Sequence, residues 1–157
     1  MGADLYIQSV SRQVRAKYDP LFDAAVKKRN DFMSRGMKAE AEKAQKEVEK
    51  YYNLSNSEGY FRDSYNDSSL FWMLGLSWWQ LAEEGVIDDR GYISPDNAYL
   101  LAQLVKELPY VKPIRADLFS DTNSVEEVQE YFDTKRKNFI KFLELAHKLD
   151  EAIYASV

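Results

Sequence analysis

The sequence predicts a mainly α-helical fold: an all-α bundle of five to six helices with a central tryptophan-rich helix, a long C-terminal helix and room for one short β pairing. Three observations carry this expectation. Residues 68–84 are apolar around most of a helical circumference and hold all three tryptophans, Trp72, Trp78 and Trp79. Such a helix belongs in the centre of a domain. Second, Val128, Phe132, Lys135, Phe139, Phe142, Ala146, Leu149 and Ile153 step by four and three behind Ser124 and Glu127. Serine and glutamate three apart form a capping box, each able to satisfy an unpaired first-turn N–H of the other. Third, Asp19-Pro20, Gly36, Gly85 and Ser94-Pro95 divide the rest of the chain into helix-length pieces, because proline suits the first turn of a helix and glycine its end.

Taken in order, Ala3, Leu5 and Ile7 alternate with Asp4, Tyr6 and Gln8, the period of a short strand. Residues 11–18 have room for a helical turn or two that must stop near Asp19, since the residue before a proline is pushed out of the helical region. A helix then starts at Pro20, with Leu21, Phe22, Ala25, Val26, Arg29, Phe32 and Met33 on its repeat, and ends at Gly36. Met37, Ala41, Ala44, Val48 and Tyr51 define the next. The pair reads either as an antiparallel hairpin or as one bent helix. Residues 53–59 form a loop, and residues 60–67 a dense polar-aromatic approach to the tryptophan helix. That helix has Asp67 or Ser68 as its cap and Gly85 as its stop, by the usual chemistry of helix ends. Residues 85–93 read as two short extended pieces around a turn at residues 89–91. Ser94-Pro95-Asp96 opens a helix whose apolar face is Leu100, Leu101, Leu104, Val105 and Leu108. Pro109 and Pro113 bracket a stiff connector, and the last helix is expected over residues 125–155. The whole, residues 1–157, reads as a single helical domain.

Composition narrows the function. With 157 residues, 45% hydrophobic and 14% aromatic, the chain can bury a core and is not a disordered polymer. The absence of cysteine removes disulfides and thiolate metal sites. No apolar stretch approaches the roughly 20 residues that span a bilayer. The opening residues lack a secretory pattern, and Tyr6 stands where a myristoylation signal after Gly2 wants serine or threonine. The expected setting is soluble and cytoplasmic, without a membrane partner. The net charge of −5 is unevenly spread: about +3 over residues 1–50, −10 over 51–134 and +2 over 135–157. Such halves either attract one another within the fold or present an acidic patch to a basic partner.

The familiar chemical constellations fail in turn. His147 is the only histidine, so nucleophilic triads lack their base. Glu144 and His147 make only half of a di-iron pattern that needs a second Glu-x-x-His. Around Gly91 a calcium loop would need oxygen ligands at Val86 and Arg90 and a carboxylate at Asn97, and only Asp88 and Ser94 fit. Asp63, Asp67, Asp88, Asp89 and Asp96 are acidic enough for magnesium or acid–base work, but caps and turns account for them more cheaply. Gly75 is alone, so there is no phosphate loop. Lys27-Lys28-Arg29 and Lys135-Arg136-Lys137 are short basic runs in an acidic chain, below the footprint of a nucleic-acid binder. No cofactor is expected.

What remains is an aromatic surplus. Tyr60, Phe61, Arg62, Asp63, Tyr65, Asn66, Asp67, Trp72 and Trp79 form the candidate binding surface, because Tyr, Trp and Arg dominate interface hot spots. Trp72 and Trp79, one heptad apart, make a stripe that faces a partner if it is not core. The expected function is therefore a non-catalytic protein-binding module, with a homodimer through the long helix or the tryptophan stripe as one form of it. The alternative is a small-ligand or hydrolytic site built from Tyr60, Arg62, Asp63, Tyr65, Asn66 and the loop at Asp88. Within this segment Arg62 is expected to be partly desolvated and to need a carboxylate from Asp63, Asp67, Asp88 or Asp89.

The opening MGADLYI, together with FRDSYNDSSLFWMLGLSWW at residues 61–79, resembles small uncharacterised proteins of bacterial and phage genomes. The likeness covers about a sixth of the chain. It implies no activity, cofactor or site, and it favours a helper or anti-host role over housekeeping metabolism.

Overall fold

Ala3, Leu5 and Ile7 are all fully buried, and the alternation that singles them out belongs to strand β1 (Gly2–Tyr6). The computed structural model describes residues 2–120 and 124–157. Among these the elements run β1, α1 (Gln8–Ser34), α2 (Lys38–Ser55), β2 (Tyr60–Ser64), α3 (Leu70–Leu74), α4 (Trp78–Glu83), β3 (Tyr92–Ile93), α5 (Pro95–Glu107), α6 (Val125–Lys148) and β4 (Ile153–Ser156). The described residues are 61% helical, so the mainly helical expectation stands. A pure helical bundle does not, because four strands join in one sheet of order β2-β1-β4-β3.

The residues divide into two compact units, Gln8–Tyr60 and Met1–Ile7 with Phe61–Val157. The first is a helical hairpin. Arg15 donates to Asn56 at 3.1 Å, Arg29 to Gln45 at 2.7 Å, and Lys28 pairs with Glu47 at 3.9 Å. Partners thus run in opposite directions along α1 and α2, which settles the hairpin over the bent helix. Ala25, Ala41, Ala44 and Val48 are its buried apolar residues, and small side chains let the two helices approach closely. Gly36 makes the turn with a φ of 70°, open to glycine without a Cβ clash. The helix start expected at Pro20 is corrected: α1 runs through that proline. A mid-helix proline leaves the carbonyl four residues back unbonded. Here both Ala16 and Pro20 are exposed, so water can meet the freed group and the helix continues.

The second unit is built on α6 and the sheet. Leu5 lies opposite Ala155 and Ile93 opposite Ile153 in antiparallel register. All four are buried, as are Phe61 and Asp63 of β2. These residues define the inner face, and Phe61 stacks on Phe139 of α6 with ring centroids 4.5 Å apart. The outer face carries a tyrosine ladder, Tyr6 to Tyr154 at 6.5 Å and Tyr154 to Tyr92 at 5.5 Å.

Three further expectations are corrected. The last helix ends at Lys148, not Ala155. Asp150 adopts a φ of 52°, and Glu151 N–H donates back to the Ala146 carbonyl at 3.0 Å, closing the helix in the manner of a left-handed cap. Ile153 then belongs to β4, which lies between β1 and β3. The helical seam of Val128, Phe132, Phe139, Phe142 and Ala146 is buried within its own chain. On α5, Ser94 caps as expected, accepting from Asn97 N–H at 3.1 Å. Its buried face is Ala98, Leu101, Ala102 and Val105, whereas Leu100 and Leu104 are exposed. Of the two extended pieces around residues 89–91 only β3 forms. Asp88 ties the turn itself, its side chain accepting from the N–H groups of Arg90 and Tyr92.

Because β4 occupies an interior position of the sheet, a chain truncated after Asp150 should lose the second unit's tertiary structure. Its near-ultraviolet circular dichroism should collapse and its cooperative melt should disappear. A truncated chain that still melts like the full one would contradict this arrangement.

Candidate functional site

The polar-aromatic approach of residues 60–64 is not a loop but the edge strand β2. Alternation along it points Phe61 and Asp63 inward and Arg62 outward, so Asp63, not Arg62, is the desolvated charge. Its side chain is fully buried. One carboxylate oxygen accepts from Ser64 N–H at 3.1 Å, Leu70 N–H at 2.8 Å and the Lys135 ammonium at 2.8 Å. The other accepts from the Ser69 hydroxyl at 3.0 Å, Phe71 N–H at 3.1 Å and the Trp78 indole at 3.0 Å. Six donors exceed the roughly four lone-pair directions of a carboxylate, so some are shared. Asp63 therefore has no free acceptor for a substrate and serves as a structural anchor.

Asp63 also explains why the expected single helix over residues 68–84 is two short ones. Leu70 and Phe71 N–H groups end on Asp63, and Trp72 N–H on the Ser69 hydroxyl at 3.1 Å, so the first turn of α3 is fully capped. After one further turn Gly75 takes a left-handed φ of 73° and stops it, and α4 restarts after Ser77. The bend brings Trp78 back onto Phe71, stacked at 3.7 Å, with its indole nitrogen on Asp63. The stripe of Trp72 and Trp79 on one continuous helix is thereby corrected. Both are nonetheless exposed, at 49% and 68%.

Together with Tyr65 they border one cleft of about 380 Å³, whose lining adds Ser64, Leu76, Ser77 and Lys112. Burial raises the Tyr65 phenol above its ordinary value of 10, and the Asp4 and Asp63 carboxylates push the same way. Lys112 stands over the Trp72 ring at 4.0 Å. A second hollow, about 190 Å³, shares Trp72 and Lys112 with the first and is lined also by Asp67, Met73, Arg115, Leu118 and Phe132 among others. The connector that presents Lys112 is fixed at several points. Val111 N–H donates to the Met73 carbonyl at 2.8 Å. Tyr110 hydroxyl donates to Asp133 at 2.5 Å, and Arg136 donates to the carbonyls of Val105 and Leu108.

The other expected site residues disperse. Tyr60 starts β2, with the Arg15 guanidinium 5.9 Å from its ring centre, and Phe61 is core. Arg62 is half exposed and pairs with Asp4 at 3.0 Å, correcting the expected partners. Asn66 closes a turn by accepting from Ser68 N–H and hydroxyl, and Asp67 meets Arg115 at 3.7 Å. The Asp88 loop leads into β3, at the opposite edge of the sheet from β2, about 14 Å away by strand spacing. The structure does not bring it to Tyr60, Arg62, Asp63, Tyr65 and Asn66. Among the described residues no three His, Cys, Asp or Glu side chains gather where they could hold a metal ion, and no helix is long and apolar enough to cross a membrane. Lys112 was missed because nothing in a proline-bracketed connector distinguishes it. Lys135 did carry a signal, as the one polar residue in an apolar seam. Compared with known proteins, the chain matches no family model, no curated protein and no solved structure.

Two outcomes follow. Lys135→Met leaves Asp63 buried without its cation and should cost about 3–5 kcal/mol, whereas Arg62→Ala, breaking a largely exposed pair, should cost at most about 1 kcal/mol. Urea denaturation of the two variants beside wild type measures both; equal losses would refute the assignment of Asp63 as the anchor. The second concerns alkaline pH. Burial, then the hydrogen bond to Asp133, push the Tyr110 phenol from 10 up to about 12, with Arg136 opposing. The folded state holds this proton more tightly than the unfolded chain, so the contribution is complete below pH 10 and is lost as pH rises through about 12. The decline of stability over that window should be shallower in Tyr110→Phe.

Proposed function

We propose that the chain is a non-catalytic protein-binding module whose contact surface is the cleft between Tyr65, Trp72 and Trp79. The observation that supports this reading is the convergence of three exposed aromatic side chains on one concavity held by a rigid frame. Large aromatic groups left in water are costly to keep for packing alone, and they are the residues that supply most binding energy at interfaces. The frame matters equally. Trp72 and Trp79 ride on helices fixed through Asp63, so little ordering entropy is lost when a partner docks. Chemistry finds less support here: the one buried carboxylate nearby is saturated with donors, and the cleft lining contains neither a second carboxylate nor an imidazole. The likeness to small bacterial and phage proteins suits an accessory role.

A displayed library of random dodecapeptides selected against the wild-type protein should yield binders that Trp72→Ala and Trp79→Ala abolish. Both variants should stay folded, Trp79→Ala within about 1 kcal/mol of wild type, as for an exposed position. Binders that ignore both substitutions would place the contact surface elsewhere and overturn the reading.

A further inference from the structure

Resting on that reading, we infer that the partner docks through an acidic segment, in which an apolar or aromatic side chain enters the cleft and an adjacent carboxylate meets Lys112. The argument is charge complementarity. Residues 51–134 carry a net charge of about −10, yet the charged group lining this cleft is a cation. Lys112 is only partly exposed, and among the described residues no carboxylate lies within ion-pair distance of it. Its ammonium rests on the face of Trp72 at 4.0 Å. A cation held against a ring is positioned and partly desolvated without being neutralised, and an incoming carboxylate regains the missing ion pair. The neighbouring hollow is mixed in charge, so Lys112 stands out there too as the cation without a carboxylate partner among the described residues. The hollow adds Arg115, whose carboxylate neighbours Asp67 and Asp117 stand at 3.7 and 3.4 Å, beside Lys112 itself. Tyr65 lines the same cleft as Lys112, and its phenol can donate to an acceptor-rich segment. A basic partner, which the acidic middle of the chain would otherwise attract, meets repulsion at this point.

The test is a charge swap. Dodecapeptides selected on the wild type should be enriched in Asp and Glu, and their affinity should fall with added salt. Lys112→Glu should weaken them at least about tenfold, Lys112→Gln by less, with both variants melting near the wild-type temperature. A fresh selection on Lys112→Glu should turn toward Lys and Arg. Selected peptides that need Trp72 and Trp79 but show no acidic bias, or that bind Lys112→Glu unchanged, would overturn this inference and leave the cleft assignment standing. A selection that yields no cleft-dependent binders would overturn both. Wild-type self-association in the ultracentrifuge, lost in Trp79→Ala, would assign the cleft to a second copy and also overturn the inference.

Discussion

One buried carboxylate organises the second unit of this protein. Asp63 leaves an edge strand, enters the core and gathers a strand amide, the first turn of α3, the indole of α4 and the ammonium of α6. Isolated, such a charge would be intolerable in an apolar interior. Fully surrounded by donors, it becomes a joint with fixed directions. Apolar contacts alone tolerate sliding, whereas a carboxylate with six aimed donors defines where each element must stop. The bend between α3 and α4, and hence the outward posture of Trp72 and Trp79, depends on this joint.

Much of the secondary structure was legible where a single residue has one physical use. The strict alternation of Ala3, Leu5 and Ile7 fits only a strand with one buried face. Ser94 before Pro95, and Ser124 before Glu127, cap helices wherever they occur. Misreadings arose where two uses compete. Pro20 can open a helix or be carried within one, and the exposure of Ala16, a tertiary fact, decides. Ile153 continues a four-residue step from Leu149, yet it also begins an alternation with Ala155, and the sheet claims it. Gly75 lies within an apolar helical pattern, and it is the left-handed φ of 73° it adopts there that makes it a stop.

The candidate surface was legible as a composition and illegible as a geometry. The aromatic surplus of residues 60–79 is real, but its members divide by strand parity and helix phase. Phe61 and Asp63 turn inward, Tyr65 and the two exposed tryptophans outward. Arg62 and Asp63 are adjacent in sequence and point to opposite faces of a sheet, so their expected roles were interchanged. Lys112 reaches the cleft only because Tyr110 and Val111 pin a distant connector to α6 and α3. Long-range placement of this kind leaves no local trace in a chain.

The pairing of β1 with β4 also constrains how the molecule assembles. Asp4 faces Ser156 across the ladder, so contact between neighbouring strands requires closing a loop that contains nearly the whole chain. The helices α1 and α2 are separated by a short turn and can pair in the time of helix growth and docking. The β1–β4 ladder must wait for the loop-closure entropy to be met by contacts that α6 and β4 bring. During synthesis β1 precedes α1 and α2, its neighbour β2 follows them, and its other neighbour β4 comes only after α6. Until β2 and then β4 are in place, the apolar face of Ala3, Leu5 and Ile7 lacks its sheet neighbours, which makes that interval the period in which this chain is most exposed to misassociation.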